Sequence, residues 1–231
     1  GAPRGPFRSH IVLPAELPPV TGSGHRVGVP MPSLALTRDG SELVYVAATK
    51  GDTRLVRRSM DSYEAIPIPG TEGAYSPAFS PDGRWVAFLT STELRKVPLD
   101  GGEPVVLCEA HVSFNATWSD DGHVYFNHHE SQLARVGEDG GAVEDMGLAN
   151  VFAVHALPGA RGILASGLSE FSSNKESAEI FRVDAAGERT TVLTGGYAPS
   201  YAPSGHLTFV RGGDRKSTRL NSSHMSESRM P

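Results

Sequence analysis

Cysteine is nearly absent. Cys108 stands alone, so no internal disulfide can form and nothing resembles a zinc cluster. A chain without disulfides is compatible with any compartment. Long apolar runs are missing too; none approaches membrane-spanning length, so no membrane insertion by these residues is expected. The chain opens at Gly1 with neither a methionine nor a signal-peptide pattern, which makes it, as an expectation, a fragment whose beginning lies upstream. Positive charge is not in excess. The formal charge of −5 argues against a phosphate-backbone partner, so no nucleic acid is expected. Catalytic signatures are lacking as well. Ser76, Ser80 and Ser119 have no Gly-x-Ser-x-Gly context, and Gly101-Gly102 and Gly140-Gly141 precede no helix that could bind phosphate. A non-enzyme without a cofactor is the expectation.

What the chain does have is turn chemistry. Its 26 glycines and 17 prolines show no collagen period, which suits many short strands joined by tight turns. The best-formed stretch covers residues 75–89. Ser80-Pro81-Asp82-Gly83 is a turn in which proline pre-sets φ, aspartate bonds its own backbone and glycine accepts the closing conformation. The run after it, Trp85-Val86-Ala87-Phe88-Leu89, is β-branched and aromatic and too short for an ordinary helix.

Copies of this hairpin recur. Turn glycines fall at Gly40, Gly83, Gly122, Gly162 and Gly205, spaced by 43, 39, 40 and 43 residues. Each leads into an apolar strand that is nearly continuous rather than alternating, as burial on both faces requires. A second element follows in each unit: Leu94-Arg95-Lys96-Val97 runs to the turn Asp100-Gly101-Gly102, and Leu133-Ala134-Arg135-Val136 runs to Asp139-Gly140-Gly141. Two hairpins per unit give four strands. Units of about 40–45 residues with four strands predict an all-β chain, a β-propeller of four-stranded blades, incomplete at about four blades plus the start of a fifth. Residues 1–30 are read as a strand and Pro/Gly-rich linker, and residues 31–213 as the partial propeller.

The Ser-Pro-Asp-Gly turn with its aromatic-aliphatic strand, followed by Leu-x-Lys/Arg-x-x-x-Asp-Gly-Gly, resembles the WD40-like repeat of TolB-type proteins. The strand-like lead-in at residues 7–13, the proline-rich linker and the first repeat are similar to propellers fused behind bacterial serine/threonine kinases. That resemblance implies a sensor or interaction domain outside the cytoplasm, binding a protein, peptide or small ligand at a propeller face or channel. The repeat also resembles the propeller that precedes the hydrolase domain of prolyl-oligopeptidase-like peptidases, and a periplasmic TolB-type scaffold is the third context.

Residues 214–231 depart from the pattern. The run from Asp214 to His224 is similar to a translated sequencing adapter, so this tail is expected to be non-native. Without its four basic and two acidic side chains the formal charge moves from −5 to −7. Residues 7–13 are the natural closing strand for a last blade, and with that blade missing the expectation is an open arc with two unprotected ends.

Candidate sites each carry a plain structural reading. Asp39, Gly40, Asp82, Gly83, Asp121, Gly122 and Gly205 are read as repeat turns rather than acid–base pairs. Arg57, Lys96, Arg135 and Arg182 share one repeat position and could form a binding face, or simply cover apolar surface with their stems. His128-His129-Glu130 is the densest cluster of potential ligands, yet on a strand His129 faces away from the other two, which fits a polar hairpin loop better than a metal site. His123 and His206 read as exposed turn residues, Cys108 as a small core hydrophobe, and Trp118, Phe79, Leu36 and Tyr201 as one shared packing position.

Overall fold

The structure, a computed structural model, describes residues 11–20, 33–49, 51–111, 113–129, 131–168, 177–202 and 204–220. It shows a β-propeller of five blades, the last with three strands. Blade 1 holds β1 (Leu34–Leu36), β2 (Glu42–Thr49), β3 (Asp52–Ser59) and β4 (Ala65–Pro67). Blade 2 holds β5 (Tyr75–Phe79), β6 (Trp85–Leu89), β7 (Glu93–Pro98) and β8 (Val105–Glu109). Blade 3 holds β9 (Ala116–Trp118), β10 (His123–His128), β11 (Gln132–Gly137) and β12 (Glu144–Leu148). Blade 4 holds β13 (Val151–Ala156), β14 (Ile163–Gly167), β15 (Glu179–Val183) and β16 (Arg189–Thr194). Blade 5 holds β17 (Tyr197–Ala202), β18 (His206–Arg211) and β19 (Asp214–Arg219). Every sheet is an antiparallel meander in chain order, and the first strand of each blade neighbours the first strand of the next.

The apolar strands are buried on both faces, and the alternation shows how. Val86 and Phe88 of β6 pack with Val44, Val46 and Leu55 of blade 1. Ala87 and Leu89 turn the other way, into a cluster with Trp118, Val124 and Phe126 of blade 3. Period-two geometry thus sends successive side chains to opposite neighbours, and an uninterrupted apolar run is the consequence. Further clusters join blade 3 to blade 4 through Tyr125, Leu133, Ile163 and Phe181, and blade 4 to blade 5 through Leu164, Ile180, Leu207 and Phe209.

Three expectations change. Residues 7–10 lie outside the described residues, and Ile11, Val12 and Leu13 form no strand. Instead Leu13 and Leu17 pack against Leu43, Tyr45 and Val56 on the free face of blade 1. Residues 18–20 extend the β1 edge of β2: Val20 N–H donates to the Val46 carbonyl at 2.8 Å and Ala48 N–H to the Pro18 carbonyl at 3.0 Å. The first end is therefore partly covered, because an apolar sheet face draws down the nearest apolar side chains of its own chain. Finally, residues 214–219, set aside as tail, supply the third strand of blade 5, all of whose described side chains are exposed. Backbone pairing tolerates almost any sequence at an edge, so the strand forms without a core pattern. Among the described residues no helix is long and apolar enough to cross a membrane.

Candidate functional site

The repeat turns gather at one end of the blades. Gly40, Gly83 and Gly205 N–H groups donate back to Thr37, Ser80 and Ala202 carbonyls at 2.9 Å, and Gly122 to Ser119 at 3.4 Å. Asp39 accepts from the Thr37 hydroxyl at 2.6 Å and from Ser41 N–H at 3.0 Å; Asp82 accepts from the Ser80 hydroxyl at 2.6 Å and from Arg84 N–H at 3.1 Å. The hydroxyl bonds hold both carboxyls below the usual range, Asp39 at about 2. Asp121 accepts from His123 N–H and from the Tyr125 hydroxyl. These aspartates are occupied by their own turns.

The aligned basic residues tie blades together. Arg57 of β3 pairs with Glu42 and reaches the next blade at Asp100, 2.8 Å away. Lys96 of β7 donates to the Glu138 carbonyl at 2.6 Å and to Asp139 at 3.0 Å, with Trp85 beneath it. Arg135 of β11 donates to Glu144 and to the Ala185 carbonyl at 3.3 Å. Each thus contacts the third-strand turn of the following blade. Arg182 stands at the matching place on β15, and its Nε is buried without a partner. All four sit on third strands, away from the innermost ring.

A second set of ties links inner strands. Ala116 N–H donates to Ser76 Oγ at 3.1 Å, Val154 N–H to Asn115 Oδ1 at 3.0 Å and Ala156 N–H to Thr117 Oγ1 at 2.9 Å. Arg38 in the first turn makes a two-pronged pair with Asp120 in the third, both distances 2.8 Å, and Asp120 also accepts from Gly159 N–H of blade 4. The Arg38 guanidinium holds the Asp120 carboxyl below its usual range. A hollow of about 300 Å³ remains at this end, with Thr37, Arg38, Asp39, Ser41 and Asp82 in its lining, and both carboxylates are engaged by their own turns.

The opposite end is open. A depression of about 660 Å³ lies where loops of blades 1 and 2 meet the approach to blade 3. Its lining includes Asp52, Glu72, Arg95, Ser91, Thr92 and Phe114. Glu72 pairs with Arg54 at 2.9 Å, and Arg95 with Glu93. Ser113 is 1% exposed and its hydroxyl has no partner. Tyr75 donates to the Thr90 carbonyl at 2.9 Å, and burial pushes its phenol up to about 12. The surface offers hydroxyls and the Asp52 carboxylate beside the Glu72–Arg54 and Arg95–Glu93 pairs.

The remaining candidates fall elsewhere. The rings of His128 and His129 meet at a tilt of 58° with centroids 3.8 Å apart at the end of β10, while Glu130 lies outside the described residues. Among the described residues no three His, Cys, Asp or Glu side chains are placed to hold a metal ion. His123 and His206 are half-buried rather than exposed: His123 bonds the Asp121 carbonyl and His206 the Ser204 hydroxyl. Cys108 is buried, which pushes its thiol up to about 11.

Solved structures share this architecture. TolB from Acinetobacter baumannii superposes with a TM-score of 0.62 at 17% identity, over 78% of this chain and 48% of that one. The putative TolB from Agrobacterium tumefaciens gives 0.64 at 16%, over 80% and 72%. A chain of the nidogen/laminin complex gives 0.60 at 14%, over 77% and 70%. The chain has the fold of a TolB-like β-propeller. It spans about half the length of the Acinetobacter protein. No protein-family model matches the sequence, and no curated protein matches it either.

Sequence reasoning about this TolB-like propeller missed the Arg38–Asp120 pair, the inner-strand ties and His155. The pair joins residues 82 apart, and no local pattern marks it. His155 on β13 is half-buried and bonds the Tyr201 backbone; burial pushes it down to about 4. Because the folded value lies below the ordinary one, the stability it supports is complete above about pH 6.5 and is lost as the pH falls toward 4. Thermal unfolding at stepped pH should show a loss of about 1–3 kcal/mol across that window, and His155→Gln should flatten it. An unchanged slope in the variant would assign the acid sensitivity to other groups.

Proposed function

We propose that this chain is a non-catalytic interaction module that takes a protein or peptide on the face bearing the Asp52, Glu72 and Arg95 depression. The observation that carries the reading is the contrast between the two ends. At one end the turn aspartates and the Arg38–Asp120 pair are engaged within the chain and the hollow beside them is about 300 Å³, whereas the other end presents the hydroxyls of Ser91 and Thr92 and the Asp52 carboxylate around a hollow of about 660 Å³. Such a surface matches the alternating donors and acceptors of a polypeptide. The nidogen/laminin complex supports the reading, since a chain of similar fold occurs there in a protein assembly.

The finer reading is a sensor domain of a membrane-anchored bacterial serine/threonine kinase, working outside the cytoplasm. It rests on the lead-in, linker and first repeat. Sequencing the intact gene tests it: a kinase domain and an apolar spanning segment upstream support it, and a downstream Gly-x-Ser-x-Gly hydrolase replaces it with a peptidase propeller. A signal peptide with neither neighbour indicates a periplasmic scaffold.

The face itself is tested by panning a displayed peptide library on the full chain. Binders should lose about tenfold in affinity on Asp52→Ala or Thr92→Ala, the effect of one or two lost hydrogen bonds, and be unmoved by Asp39→Ala. Binders indifferent to both depression changes would place recognition elsewhere.

A further inference from the structure

The outermost strand of each blade is an edge, and edges are commonly blunted by brevity, proline or charge. Three of the four fourth strands here are. β4 has three residues and ends in Pro67; β12 opens with Glu144 and Asp145; β16 opens with Arg189 and runs through threonines. β8 differs. Val105-Val106-Leu107-Cys108 carries neither charge nor proline, although Pro104 precedes it, Glu109 closes it and its pairing with β7 is bulged at Leu107. Leu107 and Cys108 are buried, but Val105 and Val106 are 44% and 47% exposed. Adjacent strand residues point to opposite faces, so the edge shows an apolar side chain on each side of itself.

Charge brackets this edge. Glu103 and Glu109 are exposed on either side of the valine pair, and the exposed His111 stands 3.9 Å from Glu109. The basic residues of the neighbouring strand are already taken, Arg95 by Glu93 and Lys96 by Glu138 and Asp139. The free field at the edge is therefore negative at both ends and apolar in the middle.

We propose that β8 is a strand-addition site, pairing with an extended segment of a partner protein that has apolar residues at its centre and Lys or Arg at its flanks. The outward N–H and C=O groups of an edge strand select an extended backbone, the valines select apolar side chains, and the two glutamates select flanking cations. This site is separate from the depression and does not depend on it.

The probe is a short peptide of alternating valine and threonine with a lysine at each end, titrated against the full chain by fluorescence anisotropy, beside a glutamate-flanked control. The lysine peptide is expected to bind at least about tenfold more tightly, with added salt narrowing the gap. Hydrogen exchange should show new protection confined to residues 105–109. Val106→Lys should abolish binding, and Glu103→Lys with Glu109→Lys should reverse the preference between peptides; unchanged thermal melts would show both variants folded. The proposal is overturned by equal binding of the two peptides, by protection mapping outside β8, or by binding that survives Val106→Lys. It is overturned equally if the chain self-associates through β8 in sedimentation and the peptide cannot compete.

Discussion

Gly162→Ala is expected to destabilise the protein by roughly 4 kcal/mol, far more than a typical surface substitution. Gly162 closes the first turn of blade 4 at φ +91°, and its carbonyl accepts the Leu157 N–H at 2.9 Å. A side chain in this left-handed region costs about 1–2 kcal/mol by itself. The larger part comes from space. A Cβ there would run into the Val183 carbonyl oxygen and stand 3.1 Å from the Asp184 Cα. Those are backbone atoms of β15 and its turn, held by pairing to β14 and β16, so the clash can be relieved only by moving a strand. Gly205→Ala is the internal control. Its φ is +84° but nothing lies within 4 Å of the new atom, so only the conformational cost of about 1–2 kcal/mol should appear. Urea unfolding of the two variants measures the difference. Equal losses would show that β15 yields without strain.

The same pair of glycines shows what could be read in the chain. Both were visible as turn residues, because a left-handed turn position is a local demand that glycine answers locally. The crowding at Gly162 was not, since Val183 arrives from another strand 21 residues on. The blades themselves were legible for a related reason: each inner strand must bury both faces, and Val86-Ala87-Phe88-Leu89 writes that condition into contiguous sequence. The polar ties were not legible. Ser76, Asn115 and Thr117 look like ordinary strand or loop residues, and only the neighbouring blade's approach gives their side chains a backbone N–H to accept. The depression is hidden for the same reason, being assembled from loops of successive blades. The basic repeat position lies between these cases. Its recurrence is plain in sequence, whereas its engagement with the next blade's turn needs the curvature of the ring.

Phe88→Ala should cost about 3–5 kcal/mol, and its effect should be confined to one joint of the propeller. Phe88 is fully buried on β6 and packs with Val44, Val46 and Leu55 of blade 1 and Val97 of its own blade. Ala87 and Leu89, on the opposite face of the same strand, keep blade 2 joined to blade 3 through Trp118, Val124 and Phe126. A stack of units that touch only their neighbours can lose one interface while the rest stays folded. The variant should therefore unfold in urea with a shallower or two-step transition, because blade 1 separates before the others. Hydrogen exchange locates the break: amides of residues 43–58 should exchange faster in the variant, while those of residues 124–136 keep their protection. Uniform acceleration across all blades would mean instead that the five blades unfold as one cooperative unit, with the inner-strand ties and the Arg38–Asp120 pair transmitting the loss around the ring.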